Sequence, residues 1–461
     1  MGWQAYFIST FICASLSEGV LKVNSHRNTV RRFPDGFLFG TATSAYQIEG
    51  AWNVDGKGLS MWDYQVHLNP SPIMDGSTGD DTAKSYYLYE RDVEMLRYMG
   101  VDFYRFSLSW PRILPTGFSN QINRAGVEYY NKLIDELLKH NIEPVVTIYH
   151  WDLPQRFQEL GGWANPSSVD WFGDFSRVAY SFFGDRVKYW VTINEPTQIC
   201  YYGYEHLAMA PYLNFKGVGD YMCSKNILLA HARAYHIYDD EFKKSQGGAA
   251  FISLSASWFE PLSEEHKDAA AEARFFDLDH YAYPIFSKTG GWHPIFKEKI
   301  DKKSEEQGFL RSRLPELSDE EIKYVQGTSD YFGLNHYTTG YVYRNSSVDG
   351  VFEVPSRDDD LGVIIYQPTA WLSGTPTSYV KMVPWGFYNL LTYIKEQYDN
   401  PPVYITENGC STGTGWNDEF RVTYYRSYLS ALLDALEDGC DVRAYTAWSL
   451  MDNFEWTSGF T

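Results

Sequence analysis

One pattern repeats eight times along the chain: a short apolar run that ends in polar or aromatic residues, followed by a segment with helical spacing. The runs are "GFLFGTATSAYQIEG", "VDFYRFSLSW", "IEPVVTIYHWD", "KYWVTINEP", "AAFISLSASWFEP", "SDYFGLNHYT", "PVYITENG" and "VRAYTAWSLMDNFEW". Segments such as "RAGVEYYNKLIDELLKHN" and "EFRVTYYRSYLSALLDALEDG" lie between them and carry apolar residues every three or four positions. Eight strand–helix units predict an α/β fold, a single (β/α)8 barrel of the TIM type.

The alternative fold is a doubly wound open sheet. No glycine-rich phosphate loop follows any of the runs, which disfavours that alternative. No low-complexity linker divides the chain, so we expect one barrel domain over residues 33–461. The charged stretch "KEKIDKKSEEQGFLRSRLPELSDEE" is interpreted as a solvated insertion before the sixth strand.

The composition limits the partners of the protein. A formal net charge of −20 argues against nucleic acid and anionic membrane, because both require basic patches. Aromatic residues form 17% of the chain, which suits a large core and also a stacking surface for a flat apolar ligand. We therefore expect a small-molecule partner, and the sequence leaves the oligomeric state open.

The first residues, "MGWQAYFISTFICASLSEG", predict a secretory signal peptide over residues 1–17 and a secreted protein. The alternative is an unstructured N-terminal segment, and the apolar run is too short to cross a bilayer. Removal of the peptide takes Cys13 with it. The remaining cysteines are Cys200, Cys223, Cys410 and Cys440. Their even number permits disulfides of undetermined pairing, and Asn345-Ser346-Ser347 is a glycosylation sequon.

In a barrel of this kind the active site is built at the C-terminal ends of the strands. The polar and aromatic residues at the predicted ends are Gln47, Glu49, Arg105, Trp110, His150, Trp151, Asn194, Glu195, Asn335, His336, Tyr337, Glu407, Asn408, Trp448, Glu455 and Trp456. Carboxylates and amides hydrogen-bond sugar hydroxyls, and indoles stack on the apolar faces of sugars. The set contains no metal-ligand motif and no Ser-His-Asp arrangement, so we expect a sugar site without metal or cofactor.

Two glutamates occupy equivalent positions, Glu195 in "TINEPT" and Glu407 in "YITENG". The fourth and seventh strands face each other across the barrel mouth, so their side chains are expected to converge. Two carboxyl groups that flank one bond are the requirement of glycoside hydrolysis. A separation of about 5–5.5 Å predicts retention and roughly 6.5–9.5 Å predicts inversion, and the sequence leaves that choice open.

The expected electrostatic environments predict which glutamate is the nucleophile and which is the general acid. A nucleophile must be ionised, and Arg105 and Tyr337 are suitable neighbours to hold Glu407 in that form. A general acid must be protonated, and Glu195 beside Trp151 is the better candidate for a raised pKa. Once Glu407 becomes a neutral ester, the pKa of Glu195 should fall, which makes Glu195 a base for the second step.

The quoted motifs resemble those of glycoside hydrolase family 1, the retaining β-glucosidases. "FLFGTATSAYQIEGAW" is similar to the N-terminal signature of the family, "TINEP" to its acid/base motif and "YITENG" to its nucleophile motif. "YRFSLSW", "YHWDLP", "GLNHYTT" and "WSLMDNFEW" also resemble family segments. The resemblance runs from about Phe33 to the end, and it is strongest with the animal secreted branch, which includes insect β-glucosidases.

The resemblance implies a role for each matching residue. Glu195 would be the acid/base and Glu407 the nucleophile. The residues that would support the nucleophile are Arg105, Tyr337 and Asn335. The residues that would bind sugar hydroxyls are Gln47, His150, Asn194, Glu455 and Trp456, with Trp448 as the platform under the ring. The implied substrates are β-D-glucosides, with galactosides and fucosides as further sugars, as O-glycosides or oligosaccharides.

Two identities narrow this prediction. Glu455 would repel a 6-phosphate, which disfavours phospho-β-glucosidase activity. Glu195 stands where plant thioglucosidases have glutamine, and an amide cannot protonate a leaving oxygen, so an O-glycosidase is favoured. Two alternatives remain: an animal-type thioglucosidase and an inactive sugar-binding relative. Tyr201 and Tyr202 favour a flat apolar aglycone.

Two departures from the family pattern remain. Cys410 stands where a larger apolar residue is usual, so a disulfide or an altered loop is expected there. The sequence stops at Thr461, whereas relatives continue through a closing helix. From this we expect a fragment, an incomplete gene model or an inactive copy, with intact site chemistry, reduced stability and the last barrel helix missing.

Overall fold

Eight parallel strands close into a barrel, as the sequence predicts. In chain order the strands of the structure are β1 (Leu38–Ala42), β2 (Phe103–Ser107), β3 (Glu143–Tyr149), β4 (Tyr189–Asn194), β5 (Ala249–Ser255), β6 (Trp258–Pro261), β7 (Phe332–Asn335), β8 (Thr339–Arg344), β9 (Val363–Tyr366), β10 (Val403–Asn408) and β11 (Val442–Trp448). The barrel runs through β1 to β5, then β7, β10 and β11, and β11 pairs with β1. The fold is therefore the (β/α)8 barrel.

This computed structural model describes residues 31–345, 347–375 and 378–461. The predicted signal peptide, residues 1–17, lies outside the described residues, as does Ser346 of the glycosylation sequon. Residues 36–461 form one compact unit.

Helices cover the outside of the barrel. The α-helices are Ala45–Ile48, Met61–Val66, Ser85–Met99, Trp110–Ile113, Arg124–Lys139, Gln155–Glu159, Ser168–Phe183, Gly219–Ile237, Lys243–Gln246, Lys267–Phe276, Asp279–Phe286, Pro294–Glu306, Asp319–Val325, Arg357–Leu361, Pro384–Gln397 and Glu419–Glu437. Short 3₁₀ turns lie at Gly162–Ala164, Glu264–His266 and Trp456–Ser458, and π turns at Gln198–Tyr202 and Tyr238–Phe242.

The helix Arg124–Lys139 illustrates why these segments are helical. The Asn123 side chain accepts a hydrogen bond from the Ala125 N–H and so caps the first turn. Val127, Tyr130, Ile134 and Leu137 are buried on one face, at the spacing of an amphipathic helix.

Inside the barrel, a ring of apolar side chains fills the space between the strands. We call it the apolar ring, and it consists of Phe103, Val145, Val191, Phe251, Tyr404 and Ala444. Side chains on one face of a strand recur every second residue. The positions two residues further along five of these strands are polar, and we call them the polar ring: Arg105, Thr147, Ser253, Thr406 and Thr446. On β4 the corresponding residue is Ile193, and the ladder to β5 shifts register between Val191 and Asn194.

A second, smaller sheet consists of β6, β8 and β9 and stands outside the barrel. The sequence pattern did not predict it: Trp258–Pro261 was included in the run of the fifth strand, and no strand was assigned to Thr339–Arg344 or Val363–Tyr366. The charged stretch that was interpreted as an insertion lies between β6 and β7. It is largely helical, with Pro294–Glu306 and Asp319–Val325 on either side of a loop.

The structure settles the cysteine pairing that the sequence left open. Cys200 and Cys223 form a disulfide, with their Cα atoms 5.4 Å apart. Cys410 and Cys440 are free thiols, so the disulfide considered at Cys410 does not form. Within the described residues, no helix is both long enough and apolar enough to span a bilayer.

Candidate active site

Glu407 lies on β10 inside the mouth of the barrel, with 3 % of its surface exposed. Its Oε1 accepts a hydrogen bond from Arg105 Nη1 at 2.7 Å, and its Oε2 accepts one from the Tyr337 hydroxyl at 2.6 Å. Burial first, and then the charge of Glu407, raise the pKa of Tyr337 well above its usual value, so the phenol keeps its proton and donates. A cation and a neutral donor therefore stabilise the ionised carboxylate.

Glu195 follows β4 directly and is buried, with 5 % of its surface exposed. Its backbone has a φ of 49°, in the left-handed region that residues other than glycine seldom adopt. Burial first, and then the charge of Glu407, raise the pKa of Glu195 to about 8. The two carboxyl groups thus have opposite environments, and at neutral pH Glu195 is the protonated one.

A chain of hydrogen bonds connects the two glutamates. Arg105 Nη2 donates to Asn194 Oδ1 at 2.6 Å. The Asn335 amide donates through Nδ2 to the same Asn194 oxygen at 3.1 Å and to Glu195 Oε1 at 2.8 Å. Because a guanidinium has donors and no acceptors, the Asn194 atom that faces Arg105 must be oxygen. The directions of the bonds from Glu407 to Glu195 are therefore fixed.

The same reasoning sets the tautomer of His150. The Asn194 nitrogen, which lies opposite the oxygen bound to Arg105, is 3.1 Å from His150 Nε2. Nε2 is thus the acceptor, and Nδ1 carries the proton. Burial, followed by the charge of Arg105, lowers the pKa of His150 well below its usual value, so the ring is neutral. Nδ1 has no hydrogen-bond partner among the described residues and remains available as a donor.

Gln47 and Glu455 meet at the barrel mouth. Gln47 is fully buried, and its Nε2 donates to Asn453 Oδ1 at 2.7 Å and lies 3.5 Å from Glu455 Oε2. Gln47 does not stand at the end of β1, where the sequence placed it, but on the short helix Ala45–Ile48 that follows. Glu455 is exposed to the open end of the barrel.

Indole rings lie beside His150 at the barrel mouth. Trp456 packs at a 4.5 Å ring-centroid distance from Trp151, and it stacks on His150 at 6.0 Å. Trp448 stacks on the same histidine at 5.7 Å and is half-buried. The indole of Trp151 also donates to the Asn194 carbonyl at 2.9 Å, which ties the ring to the end of β4.

An irregularity in β10 allows two consecutive residues to face inward. The β10–β7 ladder shifts register between Ile405 and Glu407. In a regular strand one of Thr406 and Glu407 would point outward. With the shift, Thr406 contacts Asn335 at 2.6 Å while Glu407 contacts Arg105.

The structure gathers the eleven residues of the sequence prediction at one end of the barrel. The exception in detail is Asn335, which was expected beside Glu407. It is the strand partner of Glu407 in the β10–β7 ladder, but its amide donates to Glu195 and not to Glu407. The sequence analysis overlooked Ser253 and Thr406, which contact Asn335 Oδ1 at 2.9 and 2.6 Å. The two-residue period of their strands was the signal that could have found them.

Other chemistry finds no support in the described part of the chain. No group of three or more histidine, cysteine or acidic residues there could hold a metal ion. Cys410 is half-buried, and burial raises the pKa of its thiol to about 11, so the thiol is not ionised at neutral pH.

Known proteins share both the sequence and the fold. The family described as Glycosyl hydrolase family 1 matches residues 29–461. The chain is similar to Myrosinase 1 of Brevicoryne brassicae, with 43% identity over 93% of this chain and 92% of that protein. It is similar to the human cytosolic beta-glucosidase, with 39% identity over 93% of this chain and 91% of that protein. A rice beta-glucosidase mutant, solved in a covalent complex with Glc, matches with a TM-score of 0.87 and 36% identity over 93% of this chain and 92% of that one.

Proposed function

Since this chain belongs to glycosyl hydrolase family 1, we propose that Glu407 is its nucleophile and Glu195 its acid/base. The protein is a retaining glycoside hydrolase of the β-glucosidase type. The observation that carries the assignment is the contrast between the two buried carboxyl groups. Glu407 lies between a guanidinium and a phenol that donate to it, whereas burial and the charge of Glu407 raise the pKa of Glu195 to about 8.

In the first step, a carboxylate oxygen of Glu407 attacks the anomeric carbon of the substrate. The bond from that carbon to the glycosidic oxygen breaks, and the departing oxygen takes the proton of Glu195. The products are a glycosyl ester on Glu407, an ionised Glu195 and the free alcohol. The covalent complex of the rice relative with Glc is consistent with an intermediate of this kind.

In the second step, Glu195 accepts a proton from water, and the water oxygen attacks the anomeric carbon. The ester bond breaks, the sugar leaves with its original configuration, and Glu407 regains its charge. Formation of the ester removes the charge of Glu407, which is the second cause of the raised pKa of Glu195. The pKa of Glu195 therefore falls when it must act as a base.

The proposed sugar pocket uses the polar groups around these carboxyls. His150 has an Nδ1–H without a hydrogen-bond partner among the described residues, and it stacks on Trp456, the residue next to Glu455, which Gln47 contacts. Trp448, half-buried and stacked on His150, supplies a flat surface for a ring. The carboxylate of Glu455 would repel a phosphate on the sugar, so unphosphorylated β-glucosides are the proposed substrates, with galactosides and fucosides as alternatives.

Covalent labelling tests the assignment of the nucleophile. We expect a 2-deoxy-2-fluoro-β-glucoside with a good leaving group to inactivate the enzyme and to add one fluoroglucosyl group to the peptide that contains Glu407. Glu195→Ala should keep rapid reaction with 2,4-dinitrophenyl β-glucoside, whose leaving group needs no proton, and should release β-glucosyl azide when azide is added. A label on any other residue of an active sample would overturn the assignment.

We propose that the aglycone is neutral, because acidic groups surround the tyrosines beside Glu195. Tyr201 donates to Asp358 Oδ1 at 2.5 Å, and the Asp358 side chain is 62 % exposed. Burial first, and then the charge of Asp277, raise the pKa of Tyr202 to about 12. The nearby cation, Arg357, is 7 % exposed and lies behind the Tyr201 ring.

The second candidate function is that of a thioglucosidase, which the similarity to a myrosinase suggests. The acidic surface argues against it. Glucosinolates carry a sulfate, and the exposed carboxylate of Asp358 repels it. We expect kcat/KM to be higher for an aryl O-β-glucoside than for a glucosinolate. A preference for the glucosinolate would reverse this choice, and loss of hydrolysis of both in a folded sample would favour an inactive sugar-binding protein.

We further propose that the protein is secreted, into a digestive lumen or another extracellular space. Residues 1–17 have the composition of a signal peptide, and the Cys200–Cys223 disulfide is suited to an oxidising compartment. Expression of the full chain in insect cells, followed by N-terminal sequencing of protein from the medium, tests this. Retention of intact protein in the cytosol would refute it.

A further inference from the structure

Beneath Glu195, a fully buried cluster of three side chains connects β5, β7 and β10. It consists of Ser253, Asn335 and Thr406, none of which is more than 1 % exposed. Asn335 Oδ1 lies 2.6 Å from Thr406 Oγ1 and 2.9 Å from Ser253 Oγ, and the two hydroxyl oxygens are 2.6 Å apart. With two hydroxyl protons for three contacts, every arrangement gives the amide oxygen at least one donor.

The other end of this amide faces the proposed acid/base. Asn335 Nδ2 donates to Glu195 Oε1 at 2.8 Å and to Asn194 Oδ1 at 3.1 Å. Reversal of the amide would place its oxygen against the Asn194 oxygen, whose position Arg105 fixes. At least one of the two hydroxyls donates to the amide oxygen, and the Asn194 oxygen, fixed by Arg105, accepts from the amide nitrogen. Both sets of contacts therefore favour the same orientation of the Asn335 amide.

We propose that Ser253 and Thr406 are positioning residues for the acid/base, because their hydroxyls hold the Asn335 amide in the orientation that donates to Glu195. This rests on the function proposed for Glu195. A donor on a carboxyl group favours its ionised form, and Asn335 lowers the pKa of Glu195 against the larger effects of burial and Glu407. Thr406 precedes Glu407 in the chain, so the segment that carries the nucleophile also sets the proton affinity of the acid/base.

Removal of both hydroxyls should therefore raise the proton affinity of Glu195. Without donors, Asn335 Oδ1 is buried and unpaired, and only Asn194 still holds the amide in the orientation that donates to Glu195, so the hydrogen bond to the ionised Glu195 weakens. Loss of a hydrogen bond to a charged group corresponds to an upward shift of about one pH unit in the titration of Glu195. Thr406→Val alone leaves Ser253 as a donor, so its shift should be smaller than that of the double variant.

The direct test is the titration of Glu195 by 13C NMR in protein labelled with [δ-13C]glutamate, with Glu195→Gln to assign the signal. We expect the pKa to rise by about one pH unit in Ser253→Ala/Thr406→Val and to stay near the wild-type value in Thr406→Ser, which keeps a hydroxyl. Thr446→Val is the matched control. Thr446 is a buried threonine of the same polar ring whose hydroxyl has no hydrogen-bond partner among the described residues, so its removal should leave the titration unchanged.

Thermal melting confirms that each variant is folded. An unchanged titration in a folded double variant, or an equal shift in Thr446→Val, would overturn the proposal. The pH profile gives a second readout: the alkaline limb of kcat/KM for a phenyl β-glucoside should move upward by the same amount. Because NMR requires no turnover, an inactive wild type with a shifted titration would reject the proposed function and leave the positioning role in place.

Discussion

The apolar ring and the polar ring are built by the same strands, two residues apart on the same inward face. Phe251 and Ser253 on β5, or Tyr404 and Thr406 on β10, differ in position by one period of the strand. The apolar ring makes only dispersion contacts and buries apolar surface. The polar ring makes directed hydrogen bonds, such as Arg105 Nε to Thr147 Oγ1 at 3.0 Å.

The difference separates two tasks that one barrel performs. Side chains of the apolar ring contribute to stability through their volume, and many hydrophobic residues of similar size serve that purpose. Arg105 of the polar ring contacts Glu407 directly, and Ser253 and Thr406 contact the Asn335 amide that donates to Glu195. Each of these contacts depends on the identity of both partners. Substitutions in the two rings should therefore affect different measurements.

The largest effect is expected for the carboxylate held by the polar ring. Glu407→Gln keeps the size of the side chain but removes the proposed nucleophile, so kcat on an aryl β-glucoside should fall on the order of 10⁵-fold. Steady-state assays check this, with careful exclusion of host β-glucosidase. Retention of more than a trace of activity would mean that Glu407 is not the nucleophile. The proposed role of the polar ring in catalysis would then be refuted.

The next effect sharpens the comparison on a single strand. Phe251→Ala should lower the free energy of unfolding by about 3–5 kcal/mol, because it leaves a cavity in the apolar ring. The alkaline limb of its pH profile should stay where it is in the wild type. Denaturant melts and kcat/KM profiles measure the two quantities. Ser253→Ala, two residues along, should show the reverse pattern, and similar patterns in both variants would refute the division of tasks.

A third effect concerns stability and pH. The pKa of Glu195 is raised to about 8 in the folded protein, so its contribution to stability is fully present below its ordinary pKa and is lost as pH rises through 8. Glu195→Gln cannot ionise. Between pH 5 and pH 9 it should therefore gain on the order of 2–3 kcal/mol relative to the wild type. Melts at both pH values test this, and a constant difference would contradict the raised pKa.

The smallest effect lies outside both rings, at the proposed aglycone surface. Asp358→Asn removes an exposed charge, so kcat/KM for 4-carboxyphenyl β-glucoside should rise about 2–5-fold relative to the neutral 4-carbamoylphenyl β-glucoside. The gain should shrink in high salt, because salt screens exposed charges. If the ratio does not change, Asp358 does not face the aglycone.

The sequence was sufficient to predict the barrel and to propose most of the candidate site. Each barrel strand is an apolar run of ordinary length, and residues at the ends of parallel strands converge, so Glu195 and Glu407 could be paired without coordinates. The contact of Asn335 with Glu195 could not be predicted, since it depends on the side-chain geometry between β7 and the end of β4. The register shift between Ile405 and Glu407 could not be predicted either, because a bulge leaves no mark in a two-residue period.

Other details depend on contacts that are distant along the chain. The Cys200–Cys223 pairing follows from packing of the helix Gly219–Ile237 beside the turn after β4, and composition does not specify it. The strands of the small sheet, Trp258–Pro261, Thr339–Arg344 and Val363–Tyr366, pair across distant parts of the chain, and the sequence pattern does not specify that pairing.

The guanidinium of Arg105 limits the number of hydrogen-bond arrangements that the site can adopt. Networks of amides usually admit several donor assignments of similar energy, and these contribute residual entropy that is lost when a substrate selects one of them. Arg105 offers only donors, so Asn194, Asn335 and His150 each retain a single assignment. The hydrogen bonds of the network therefore have a single arrangement before the substrate binds, and no entropy of alternative arrangements is lost on reaching the transition state.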